Sequence, residues 1–257
     1  MTDSVLAGLR LAVTGGSRGL GAEIVRLALA GGAKVSTCAR GKSQLETLHR
    51  DVGGTSIHTH LADVTAPGGV EGFVQAAVDA MGGLDAVVAC AGGSRGGGIE
   101  EADPADWAWT LDMNVGHAAR LIGSAAPYMR EAGGGSAVVV SSISGWKPGR
   151  PAQYGAAKAA QISLVASTAR ELAADGIRVN AVSPGSMLIP GRRWDRLRQE
   201  DPVEFARLLA LVPGGRLVTP REVAEAVLFL LSPAASGISG VNLPVDRAQG
   251  APGPDGY

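Results

Sequence analysis

The chain has 257 residues, 46% of them hydrophobic and 18% charged, with a formal net charge of −1. That is enough apolar material for one large α/β domain. The balanced charge and the 4% of aromatic residues give no general pull toward nucleic acid or an anionic membrane, and no base-stacking platform. Residues 1–5 lack the basic and apolar run of a signal peptide, and the apolar runs are too short to span a bilayer, so a cytoplasmic protein is expected.

Residues 10–15 read as a short buried strand, followed by a glycine-punctuated turn and a helical period over 20–30 that Gly31-Gly32 stops. A second strand is expected over 33–38, a polar helix over 41–51, a third strand over 55–61 and a helix over 67–81. Residues 84–90 read as a fourth strand and 91–98 as a loop. A long helical stretch over 101–131 then contains the start signal Asp103-Pro104. Strands over 136–142, 177–182 and 240–245 alternate with helices over 151–174 and from Thr219-Pro220 to 231. A Pro/Gly-bounded insertion fills 184–215, and the Gly/Pro-rich tail 247–257 is expected to be mobile unless a partner subunit holds it. Short apolar strands alternating with helices predict a single domain with a seven-stranded parallel sheet covered on both faces, a Rossmann-like doubly wound fold.

The turn Thr14-Gly-Gly-Ser-Arg-Gly-Leu-Gly21 joins the first strand to the first helix. Glycines there let backbone approach a phosphate, and the helix N-terminus offers free N–H groups and a positive dipole end, so a dinucleotide site is expected. An acidic residue about 20 positions on would select NAD, but Cys38-Ala39-Arg40 carries no carboxylate. Arg40 and Arg18 together predict a grip on a 2′-phosphate and a preference for NADP(H).

The stretch from Ser142 to Lys158 holds a serine, a tyrosine and, four residues on, a lysine. Tyr154 and Lys158 fall on one helix face, where the ammonium is expected to lower the pKa of the phenol. Among the three tyrosines only Tyr154 has such a partner; Tyr128 reads as helix packing and Tyr257 is the last residue. The histidines, His49, His58, His60 and His117, read as structural or exposed, and no metal site is expected. Cys38 and Cys90 fall at the ends of strands two spacings apart, too far to bridge, so free thiols are expected.

With the glycine turn, Asp63-Val64, Ala91-Gly92, Asn114, Ser142, Tyr154, Lys158 and Pro184-Gly185 in this order, the whole chain resembles the short-chain dehydrogenase/reductase family. It is similar to 3-oxoacyl-carrier-protein reductases and to ketoreductases of secondary metabolism. The resemblance implies that Gly15, Ser17, Arg18, Gly19, Leu20 and Arg40 hold the cofactor and that Asp63 and Val64 pack on the adenine. It implies that Ala91 and Gly92 line the cofactor and that Pro184, Gly185 and Met187 run beside the nicotinamide. It further implies Tyr154 as general acid, Ser142 as stabiliser of the substrate oxygen, Lys158 as partner of Tyr154 and of the nicotinamide ribose, and Asn114 as holder of a relay water.

Three departures stand out. Ala89-Cys90-Ala91-Gly92 replaces Asn-Asn-Ala-Gly, Ser186-Met-Leu-Ile189 lacks the usual threonine, and Val245-Asp-Arg-Ala248 replaces Val-Asp-Gly-Gly. The segment 187–213 is expected to cover the substrate, a small carbonyl compound or a carrier-bound one, and its Gly191-Arg-Arg-Trp-Asp-Arg-Leu-Arg198 reads either as an anion-facing patch or as a solvated amphipathic helix. An alcohol dehydrogenase working oxidatively, a non-catalytic dinucleotide-binding regulator, and a dehydratase or epimerase are the alternatives. The resemblance also implies a homodimer or homotetramer paired through the helices near 105–130 and 152–174.

Overall fold

A computed structural model describes residues 6–53, 56–149 and 151–251; Thr55, Arg150, Tyr257 and the rest of the tail from 252 lie outside them. The strands are β1 (Arg10–Thr14), β2 (Lys34–Ala39), β3 (Ile57–Leu61), β4 (Ala86–Ala89), β5 (Gly135–Val140), β6 (Ile177–Pro184) and β7 (Asn242–Val245). The helices are α1 (Gly19–Ala30), α2 (Lys42–Val52), α3 (Gly69–Met81), α4 (Pro104–Leu111), α5 (His117–Glu131), α6 (Ala152–Leu172), α7 (Arg193–Glu200), α8 (Pro202–Ala210) and α9 (Pro220–Leu231). All seven strands form one parallel sheet in the order β3-β2-β1-β4-β5-β6-β7.

The sheet is buried on both faces because its strands alternate between two apolar layers. Ala12, Val87, Ala89, Ala137, Val139, Val179 and Ala181 meet α3, α5 and α6 through residues such as Phe73, Leu121, Met129 and Val165. Leu11, Val13, Ala86, Val88, Val138, Val140 and Val182 meet α1, α2 and α9 through Ile24, Leu48 and Val227. Period-2 alternation on a two-sided sheet explains why the central strands β1, β4, β5 and β6 are buried along nearly their whole length, whereas the edge strand β3, Ile-His-Thr-His-Leu, fully buries only Ile57. Chain order reverses between β1 and β4, so the connections leave in opposite directions there and open a crevice at the carboxyl ends of the strands.

The stretch 101–131 is not one helix. Asp103 caps α4 by accepting from the Asp106 N–H, α4 runs to Leu111, and a π turn over Asp112–Gly116 precedes α5. The wider i→i+5 turn places Met113 and Asn114 inward. The insertion contains two helices, with Trp194 packed edge-on to Phe205 at 6.2 Å between ring centroids. The first part of the tail is fastened to the loop after β5: Trp146 Nε1 donates to the Gly250 carbonyl at 3.1 Å, and Lys147 Nζ to that of Gln249 at 2.5 Å. Arg247 and Ala248, standing where the resembled pattern has glycines, adopt φ of 55° and 65°. This left-handed geometry costs a residue with a Cβ about 1 kcal/mol or more. Asp246 offsets it by accepting from the N–H groups of Ala248 and Gly250. No helix among the described residues is long and apolar enough to cross a membrane.

Candidate active site

A cleft of about 680 Å³ opens at the crevice between β1 and β4. Gly15, Ser17, Arg18, Gly19, Leu20, Arg40, Asp63, Val64, Ala91, Gly92, Ser142, Tyr154, Lys158, Pro184, Gly185 and Met187 all line it. Asn114 is fully buried behind the cleft wall.

At one end lies the glycine turn. Gly15 and Gly19 have φ of 73° and 57°, open to glycine at little cost. A Cβ on Gly21 would run into the Gly15 carbonyl oxygen, so helix and turn pack backbone against backbone. The N-terminus of α1 has neither a side-chain cap nor an acidic residue in its first turn. Its N–H groups and positive dipole end are thereby left for an anion, as a dinucleotide phosphate would require. At the end of β2 the exposed Arg40 lies 3.9 Å from Asp63, whose other carboxylate oxygen accepts from both the N–H and the hydroxyl of Thr65.

The far wall carries Ser142, Tyr154 and Lys158. Ser142 caps a 3₁₀ turn after β5, and its Oγ accepts from the Ser144 N–H at 3.1 Å, which leaves its hydroxyl proton to be donated toward Tyr154. Tyr154 lies in the first turn of α6 and Lys158 one turn later, its Nζ 5.4 Å from the centre of the phenol ring. Lys158 donates to the Val140 carbonyl at 3.0 Å and to Gln161 Oε1 at 2.9 Å. Burial lowers its pKa to about 8. The expected lowering of the Tyr154 pKa by Lys158 is not found. Burial pushes the phenol up, and the opposing pull comes from Ser142. In a dry wall, desolvation of a phenolate outweighs a cation that is not in hydrogen-bond contact.

Asn114 is tied into the loop after β4. Its Nδ2 donates to the carbonyls of Gly93 and Thr110, each at 2.7 Å, so the side chain fastens the strand-four loop. Its main-chain carbonyl accepts from Gln161 Nε2 at 2.9 Å. A Cβ on Gly92 would lie 3.0 Å from Asn114 Oδ1 and 3.4 Å from Lys158 Nζ, so glycine is needed there for close approach.

Two of the sequence departures have local compensation. Where the asparagines are missing, the Thr14 hydroxyl oxygen accepts from the N–H groups of Cys90 and Ala91 at 3.1 and 3.3 Å. Where the threonine is missing, Gln249 accepts from the Ser186 N–H at 2.8 Å and donates to its hydroxyl at 2.9 Å, fixing the loop after β6. Both cysteines are free thiols, and burial pushes each up to about 12, so neither is a nucleophile near neutral pH.

His117 anchors this loop from below. Its Nδ1 meets the Met113 carbonyl at 2.6 Å and therefore carries the proton, and Nε2 accepts from the Thr14 hydroxyl at 3.2 Å. Burial pushes its pKa from 6.5 down to about 4. Below pH about 6.5 the unfolded chain takes up a proton that the folded chain refuses, so stability falls as the pH drops toward 4, by about 3 kcal/mol from this group. Urea unfolding of wild type at pH 7 and pH 5 should differ by about 2 kcal/mol more than that of His117→Asn, which cannot titrate. An equal pH dependence in the two proteins would remove His117 as the cause. Among the described residues, no cluster of histidine, cysteine and carboxylate side chains could hold a metal.

The arginine-rich segment does not form one patch. Arg198 pairs with Asp195 at 2.8 Å, Arg193 lies over Trp194, and Arg192 lines the cleft beside Ile189, close enough to Arg18 for the two charges to lower its pKa beyond the effect of burial. Arg192, Gln161 and Gln249 are site residues that sequence reasoning missed. Arg192 was visible only as one of several arginines, and the glutamines carried no motif signal.

Comparison with known proteins finds relatives along almost the whole chain. A family model described as enoyl-(acyl carrier protein) reductase matches residues 15–247. Among curated relatives, the chain is 34% identical over 251 residues to isoepoxydon dehydrogenase of Penicillium expansum, covering 94% of each chain. It is 34% identical over 235 residues to a 3-oxoacyl-acyl-carrier-protein reductase of Vibrio cholerae, covering 91% of this chain and 94% of that one. Among solved structures, a short-chain type dehydrogenase/reductase from Mycobacterium ulcerans superposes with a TM-score of 0.87 at 30% identity, over 95% of this chain and 91% of the other.

Proposed function

The chain belongs to the short-chain dehydrogenase/reductase family of oxidoreductases, which binds a nicotinamide dinucleotide, and from that premise we propose that it is an NADPH-dependent reductase of a ketone or 3-oxoacyl carbonyl. The observation that carries the reading is the placement of Ser142, Tyr154 and Lys158 on one wall of the cleft whose other end is the glycine turn.

Bound there, the cofactor supplies hydride to the carbonyl carbon. The Ser142 hydroxyl, its oxygen already engaged by the Ser144 N–H, donates to the substrate oxygen and holds it. Tyr154, kept protonated by burial, gives its proton to that oxygen as charge builds there, and the product is a secondary alcohol. Lys158 keeps two of its protons on Val140 and Gln161 and turns the third toward the cleft, available to a ribose hydroxyl. The same groups serve alcohol oxidation when the cofactor arrives oxidised.

The preference for NADPH rests on Arg18, Arg40 and Arg192 along the cleft and on the absence of a carboxylate at the end of β2. Arg40→Ala should weaken NADPH binding by about 10- to 100-fold and leave NADH nearly unchanged, since the lost contact is a charge-assisted bond to the 2′-phosphate alone. Fluorescence titration with both cofactors checks this, and a wild-type preference for NADH would overturn it. A carrier-bound acyl substrate is favoured by Arg193 and Arg196, which stand exposed on α7 to meet an acidic carrier. By resemblance to the family we also take the assembly as a homodimer or homotetramer in the cytoplasm. Monitoring NADPH oxidation over 3-oxoacyl thioesters, cyclic ketones and quinones tests activity and substrate class together; no turnover across that panel would leave a dinucleotide-binding regulator as the better reading.

A further inference from the structure

One fully buried polar side chain outside the expected set is tied directly to the reactive groups. Gln161 lies on α6, three residues past Lys158 and on the same face. Its Oε1 accepts from Lys158 Nζ and its Nε2 donates to the Asn114 carbonyl, both at 2.9 Å. The π turn over Asp112–Gly116 brings that carbonyl to the contact. Both ends of the carboxamide are thus paired, as a buried amide needs to be.

We propose that Gln161 is a positioning residue that joins Lys158 to the Asn114 carbonyl directly and so holds the lysine in its charged form. The inference rests on the proposed reductase reading for its catalytic consequence, but not for the contact itself. A carboxamide donating to a carbonyl and accepting from an ammonium favours the charged form of the lysine, because its acceptor oxygen is held facing Nζ.

The groups facing Lys158 are few. Tyr154 precedes it on α6, Cys90 follows β4, and His117 begins α5. Tyr154 is pushed above its ordinary value, Cys90 to about 12 and His117 down to about 4. None of them therefore titrates between pH 6 and 9, where Lys158 does. Since reduction needs the ammonium, activity should fall on the alkaline side as Lys158 loses its proton.

The test is a pair of substitutions with opposite signs. Gln161→Met keeps the volume and removes the acceptor, so the alkaline limb of kcat should move down by about one pH unit. Gln161→Glu puts a carboxylate beside the ammonium, so the limb should move up by a similar amount. A readout independent of turnover is the titration of Lys158 Nζ by nitrogen NMR in the cofactor-free protein. The chain has only four lysines, and Lys158→Met identifies the signal. Opposite shifts in that titration support the proposal even if no carbonyl is turned over, which would count against the reductase reading alone. Unchanged titration midpoints in both variants, with folding intact by circular dichroism, would overturn it and leave Gln161 as packing.

Discussion

Tyr154→Phe should bind NADPH as wild type does and reduce carbonyl substrates about 10²- to 10⁴-fold more slowly. The change removes one oxygen. The ring keeps its place in the first turn of α6, and Lys158 keeps its bonds to Val140 and Gln161. Ser142 still polarises the substrate oxygen, but nothing with a transferable proton replaces the phenol there. Because burial holds Tyr154 above its ordinary pKa, wild-type activity should be flat through neutral pH, with its alkaline fall set by Lys158 near pH 8. Single-turnover measurement of NADPH oxidation isolates this step from product release. Turnover within a few-fold of wild type would exclude Tyr154 as the proton donor.

The second large effect is expected at the opposite end of the cleft. A Cβ at position 21 meets the Gly15 carbonyl oxygen and lies 3.0 Å from the Gly16 Cα, and neither is the tip of a flexible side chain. Gly21→Ala must therefore move the turn or the start of α1. Overpacking of this kind costs about 1–3 kcal/mol, which in a chain of this size lowers Tm by about 3–10 °C. The displaced N–H groups no longer converge on a phosphate, so dinucleotide affinity should fall by about 100-fold or more. Gly72→Ala is the control. It lies exposed on α3, its added Cβ meets nothing within 4 Å, and alanine is the better helix former there, so Tm should hold or rise slightly. If the two variants melt alike and bind the cofactor alike, backbone packing at position 21 is not what shapes the turn.

Much of this site could be read before the fold was seen, because its signals are local. The glycine spacing in residues 15–21 reports backbone geometry within a few residues. Tyr154 and Lys158 are one helical turn apart, and short continuous apolar runs report a strand buried on both faces. These features depend only on near neighbours, so sequence alone determined the layered parallel sheet, the cradle after β1 and the serine, tyrosine and lysine of the far wall.

The tertiary structure decided what no spacing encodes. Gln161 meets Asn114 across 47 positions, Gln249 meets Ser186 across 63, and His117 meets Thr14 across 103. A glutamine or histidine in an otherwise unremarkable helix or tail carries no periodic signal, and its partner is chosen by how the layers pack. The arginines near Trp194 followed the same rule: identical in sequence terms, they separate into an ion pair, a ring contact and a cleft residue once α7 is placed. The Tyr154 pKa shows why this matters for chemistry. Its lysine was legible four residues away, but the sign of its shift was set by desolvation, which depends on what the whole fold stacks around the phenol.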